Sequence, residues 1–290
     1  MSQLVVKVDD VTMLSERAPE LISEVLRGDR SRRPRRDDVS AAGLRAALED
    51  HVFRVFAGER RDAPVVITAA SLSAAGRTLA LPDSPVARAR GILVATAFRL
   101  LIAQVHLGDP YADALTAWRG EHPHHVALDA LTHLDGDQSA RLRADVTAHV
   151  ATLRRAMGVF PSAWRPRTSQ RARQLLGGTS VCLRDVIDLV VGSTQLAVAN
   201  VALVDITTSP LGPGAERVMR YHALMQTLRT SVVPLRTSIF SSATGELWSA
   251  DVDHELLMRA VDDVAGVLGR WAAPCVASRV DSRLDLGAAS

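Results

Sequence analysis

Residues 181–209 read VCLRDVIDLVVGSTQLAVANVALVDITTS, and the two short apolar runs inside this stretch decide the fold. VIDLVV and VALVDI are rich in β-branched residues, and each carries one acid, Asp188 and Asp205. Runs of this kind, bounded by Gly192-Ser193-Thr194 and by Asn200, predict two buried strands lying side by side in one sheet. An ionised carboxylate in a dry sheet is costly unless it is paired or holds a cation. Two of them on neighbouring strands suit a hard divalent ion. The other reading is that each Asp ends a strand, capping a turn or meeting an arginine.

Working outward, Arg171–Leu176, the turn Gly177-Gly178 and Ser180–Val191 read as a hairpin, with Asp185 adding a further acid beside Asp188. Downstream, a helix is predicted over Ala215–Arg229 with Val218, Met219, Leu224 and Leu228 buried. Pro234–Ser241 and Gly245–Ser249 read as a second hairpin. Asp251 reads as the cap of a helix over Val252–Leu268, followed by a loose tail from Ala273. Upstream, the chain from Ser40 to Met157 reads as helical. Ser40 caps a helix with a Leu44, Leu48, Val52, Val55 stripe, and Ser84-Pro85 starts another. Shorter helices fit Ala112–Trp118 and Val126–Leu131, and a last one fits Arg141–Met157. Phe160–Arg167 is an extended linker. The order predicts an α/β protein, a mixed-sheet core preceded by a helical region. Its divisions are an N-terminal appendage (1–39), a helical region (40–160), the α/β core (161–270) and a tail (271–290). Within the appendage, Leu4-Val5-Val6 suits a short strand and Ser15–Leu26 a helix. The Arg-rich block Arg27–Arg36 reads as a linker or a phosphate clamp.

With 290 residues, 47% of them hydrophobic, the chain can bury a substantial core, and a net charge of +2 points to no particular partner. Of 34 basic residues one is a lysine, Lys7, so nearly all positive charge sits on arginine, which stays protonated and grips phosphate bidentately. Cys182 and Cys275 are too few and too far apart for a thiolate zinc site or an iron–sulfur cluster. MSQLVVKVDD has charges where a signal peptide is hydrophobic, and Gly91–Val105 is interrupted by Arg99 and Gln104. A cytoplasmic protein with no membrane segment is expected. His122, His124, His125 and His133 cluster in one segment, where a solvated loop competes with a metal site.

An Asp late in one strand, a turn, then V-D-I-T-T on the next resembles the core of the PD-(D/E)XK nuclease superfamily. The likeness is to the RecB-like single-chain proteins common in actinobacteria, over roughly residues 40–268. WRPR at 164–167 resembles the same family. Asp188 and Asp205 fall on its two acidic positions. The resemblance implies Mg²⁺ held by these two, with phosphodiester hydrolysis of DNA assisted by a lysine. Thr207 stands where that Lys belongs, Ala95 where a His follows A-R-G, and His222 where a Tyr follows in the helix. Asp188, Asp205, Thr207 and His222 are thus the implied catalytic set, with Arg165, Arg167, Arg184 and Arg220 as DNA contacts. The replacements imply weakened or lost catalysis in a DNA-binding or scaffolding subunit, partnered by a helicase or nuclease. Two other readings stand beside it: an active Mg²⁺-dependent nuclease with an altered site, and a protein-interaction module that meets no nucleic acid.

Overall fold

A computed structural model describes residues 4–6, 40–56, 63–74, 84–123, 125–157, 162–193 and 200–284. In chain order its elements are β1 (Leu4–Val6), α1 (Ala41–Phe56), β2 (Val65–Ile67), α2 (Ala69–Ser73) and α3 (Pro85–Ile102). Then follow α4 (Pro110–Glu121), α5 (Val126–Thr132), α6 (Gly136–Met157), β3 (Arg167–Leu176) and β4 (Val181–Val191). The remainder is β5 (Ala202–Thr207), α7 (Pro213–Thr230), β6 (Arg236–Ser241), β7 (Leu247–Asp251) and α8 (His254–Leu284). The fold is α/β, with one mixed sheet, as the order of sequence signals predicts.

The sheet runs β1-β7-β6-β5-β4-β2, and β3 pairs with β4 as well. β3 lies antiparallel along one edge of β4 from Val181 to Val190. The opposite edge is shared: β2 pairs in parallel with Val181–Leu183, and β5 pairs antiparallel with Leu189–Val191. Residues 184–188 therefore face a fork, where β2 and β5 have diverged. Asp185 and Asp188 both lie in that interval.

Helices cover both faces. α1, α2, α7 and α8 enclose a core with Val65, Ile67, Val181 and Leu183. α3–α6 form a second core with Leu189, Val191, Val204 and Phe240. Alternation explains this along β5 and β6, where Val204 and Phe240 meet α3–α6 while Ile239 meets α7. Along β4 it slips: Leu183 and Leu189 are both odd-numbered yet face opposite layers. The slip falls beside Asp188, opposite Ser169, whose φ is 51°. That left-handed backbone re-aims the strand where the acids sit.

Several expectations need correction. The segment 40–160 is not wholly helical, because β2 enters the main sheet there. Nor is the N-terminus wholly separate, since β1 pairs with β7 as the edge strand. Asp251 does not cap α8; it ends β7 and holds Arg236, while Asp253 accepts the Leu256 amide at 2.7 Å. α8 runs on to Leu284, through the expected loose tail. The helix expected at 15–26 and the basic block at 27–36 lie outside the described residues.

α7 is seated by close approach: a Cβ on Gly214 would lie 2.7 Å from the Ser73 carbonyl oxygen on α2. Arg217 Nε also donates to the Leu72 carbonyl, at 3.0 Å. Gly214→Ala is expected to destabilise the protein by about 1–3 kcal/mol, because backbone overlap outweighs the smaller gain in helix propensity. Urea unfolding checks this, and a variant as stable as the parent would show that α2 and α7 are not locked at this point.

Candidate functional site

Strand pairing decides where the acids meet. Continuing the Leu189–Val204 register by one residue sets Asp188 directly across from Asp205. Their carboxylates come within hydrogen-bond reach of one another, and Asp188 Oδ2 also accepts the Ile206 amide at 2.9 Å. The expectation of two carboxylates facing each other from adjacent strands thus holds in the geometry. Burial, and next the negative charge of Asp205, push the Asp188 carboxyl well above the usual range, against the Ile206 amide. Of the pair, Asp188 is the carboxyl whose charged form the surroundings disfavour.

α7 adds the third party. His222 is 1% exposed, and its Nδ1–H donates to Asp185 Oδ2 at 2.8 Å. Nε2 stands 3.5 Å from Asp205 Oδ2, at ion-pair distance but without an aligned hydrogen bond. Burial opposes a charged imidazole; Asp185 first and Asp205 second outweigh it and hold His222 well above its ordinary value. An imidazolium is thus fixed between two carboxylates. Its neighbour Tyr221 closes the fork: the hydroxyl lies 3.1 Å from the Ile67 carbonyl and 2.9 Å from that of Arg184. One phenolic proton is shared between the end of β2 and the stretch of β4 just past their pairing, and burial makes it harder to remove.

Mg²⁺, implied by the resemblance, can be tested against this arrangement. The donors are hard carboxylate oxygens, the right kind for such an ion. One Asp188 oxygen, however, is taken by the Ile206 amide, and the His222 ring stands against Asp205. Among the described residues no group of three or more His, Cys, Asp or Glu is placed to hold a metal. A divalent ion would have to compete with the Ile206 amide for Asp188 and with the His222 ring for Asp205, so the residues as folded do not fit a resident Mg²⁺.

The other expected residues scatter. Thr207 lies beyond Asp205 on β5, and its Oγ1 accepts the Ser209 amide at 3.2 Å, closing a turn rather than reaching the acids. Ala95 is part-buried on α3. Arg220 is engaged within the fold, its Nε donating to Asp263 on α8 at 2.8 Å and Glu216 holding its other end. Arg167 is half-buried and donates to the Gly192 carbonyl at 3.1 Å. Arg165 and Arg184 are exposed. In the histidine segment, His125 caps α5 through the Ala127 amide and packs edge-on against Trp118, a structural role. His149 on α6 went unsuspected. It lies in the buried Leu142, Val146, Leu153 stripe and reaches Ser242 Oγ at 3.0 Å, which donates to the Thr207 carbonyl. A histidine inside an apolar helical stripe is the signal that marks it. Burial lowers its pKa, so it is neutral.

Arg171, Arg173 and Arg184 form a further group. The register places Arg173 directly across from Arg184, and Arg171 across from Val186. These side chains lie on the face turned away from α7, beside Val186 (50% exposed), Leu175 (39%) and Val66 (37%). Among the described residues none of the three arginines has an ion-pair partner, and like charges directly opposite on a strand pair repel.

The raised pKa of His222 gives a pH dependence. A histidine whose folded pKa exceeds its unfolded value of 6.5 contributes stability that is complete below 6.5 and is lost as pH rises towards the folded value. Urea midpoints should therefore fall on going from pH 6.5 into the alkaline range, and His222→Gln should flatten that slope. An equal slope in the variant would mean that His222 is not the titrating group.

No protein-family model matches the chain, and no curated protein matches it. Among solved structures, one titled "Crystal structure of SSO0001" aligns with 9% identity over 76% of this chain and 81% of that one, at a TM-score of 0.29. Likeness at that level assigns neither family nor function.

Proposed function

We propose that this chain is a nuclease-like protein that binds DNA through its phosphates and no longer hydrolyses it at an appreciable rate. The observation that carries the reading is Arg173 standing directly across from Arg184, with Arg171 beside them and, among the described residues, no acid paired to any of the three. Repelling guanidinium groups on exposed strand positions lose their mutual cost when a polyanion lies along them, and arginine matches phosphate geometry bidentately. β4 carries Arg184 next to Asp185 and four residues from Asp188, so this face and the acid pair share a strand.

The loss of hydrolysis is argued from charge. A phosphodiester transition state gains negative charge, and one missing stabilising group commonly costs roughly 10²–10³ in rate. Here the positive group nearest the acids is His222, buried and tied to Asp185, while Thr207 supplies no charge. A protein of this kind would serve as a DNA-binding or scaffolding subunit beside a cytoplasmic helicase or an active nuclease.

Two measurements test the reading. DNA affinity should fall with salt, and Arg173→Gln or Arg184→Gln should each reduce the log–log salt slope by about one. No salt-dependent binding would favour a protein-interaction module instead. Linear and circular DNA should survive incubation with the protein in Mg²⁺ or Mn²⁺, and Thr207→Lys should raise any residual cleavage. Vigorous cleavage by the parent protein that disappears in Asp188→Ala would establish an active nuclease with an altered site.

A further inference from the structure

Among the described residues, three buried donors lie without partners at the end of α7 and the start of β3: Gln226 Nε2, Arg229 Nε and Arg167 Nε. Gln226 is fully buried, one helical turn beyond His222 on the same face. Its Oε1 accepts from Arg229 Nη2 at 2.7 Å, which leaves the amide NH₂ as the unpaired end. α7 packs against β3, where Arg167 stands opposite Val190. Arg165 lies two residues earlier, exposed. Among the described residues no carboxylate pairs with any of these arginines. Burial, then Arg229 and Arg165, lower the Arg167 pKa, as expected of guanidinium groups gathered without a counterion. The backbone on either side of Arg167 is left-handed at non-glycine residues, φ 50° at Arg165 and 51° at Ser169. Such strain persists where the surroundings hold a side chain in one place.

A buried donor without an acceptor bears its full desolvation cost, and here three converge with two positive charges. The carbonyl end of α7 favours one cation, Arg229 in its last turn, but supplies no acceptor to the free Nε atoms. We propose that Arg167, Arg229 and Gln226 form an oxyanion site that takes a phosphate group, with Arg165 at its mouth. Two guanidinium forks and an amide offer several N–H groups to a tetrahedral dianion, more than a planar carboxylate can use. The phosphate comes either from a free phosphate or phosphomonoester, or from a nucleic-acid backbone. For the second source the proposal rests on the DNA reading. Arg167 is two residues along the strand pair from the position opposite Asp188, roughly 7 Å, so a strand passing the acid pair brings a neighbouring phosphate here.

The test titrates inorganic phosphate into the full chain by calorimetry, against chloride at matched ionic strength. The parent protein binds phosphate saturably. Arg167→Met and Arg229→Met each weaken binding by about tenfold or more, while Arg119→Gln, which removes an exposed charge elsewhere, does not. Arg229→Lys keeps the charge but loses the fork, and it too binds more weakly. Should the Met variants fail to fold, Arg229→Lys decides: unchanged affinity there overturns the site. So does an absence of saturable phosphate binding by the parent protein, or Met variants that bind as it does. A labelled single-stranded oligonucleotide separates the sources. Displacement by phosphate identifies the backbone, and phosphate binding without displacement identifies a free phosphate or monoester. A protein that binds phosphate but no DNA overturns the DNA reading and leaves this site standing.

Discussion

Three carboxylates converge where β4 loses its continuous neighbour, and acids gathered in a half-buried sheet are costly unless something balances them. Burial and the charge of Asp205 raise the Asp188 carboxyl well above its usual range, and His222 sits between Asp205 and Asp185. At an effective dielectric near 20, a unit pair at 3.5 Å attracts by about 5 kcal/mol, similar to the cost of desolvating one ion. Asp185 and Asp205 together outweigh that cost, with Asp185 contributing the larger share.

That balance depends on exact placement of α7. Gly214 lets it press on α2, Arg217 ties it to Leu72, and Arg220 ties it to Asp263 on α8. Tyr221 then spans the fork while His222 drops between the acids. The same helix ends in Gln226 and Arg229, so one rigid element lays out an acidic site and, further along, a site rich in unpaired donors. Arg220, by contrast, is used in holding the helix. An arginine's meaning here depends on whether an acid lies in reach.

The two arginine groups differ in the same way. Arg171, Arg173 and Arg184 are exposed, repel one another through water, and suit a long polyanion held loosely. Arg167 and Arg229 are half-buried, where screening is weaker and an unmatched charge costs more. A single compact anion suits them.

Much of the scaffold was legible in the chain itself. The β-branched runs around Asp188 and Asp205, the Gly177-Gly178 turn and the apolar stripes of α1, α7 and α8 follow from local periodicity, which is a property of neighbours in sequence. Asp188 facing Asp205 was also within reach, because two adjacent strands of known length leave few registers. What periodicity could not reveal was any contact between distant segments. β2 is three residues long, too short to mark itself inside a helical stretch, yet it makes the fork by taking half of β4's edge. The His222–Asp185 pair, the Tyr221 bridge, the loss of Arg220 to Asp263 and the gathering of Arg167 with Arg229 all join residues tens of positions apart. Side-chain chemistry names the groups that can pair, but only packing brings them to hydrogen-bond distance and excludes the water that would otherwise screen them.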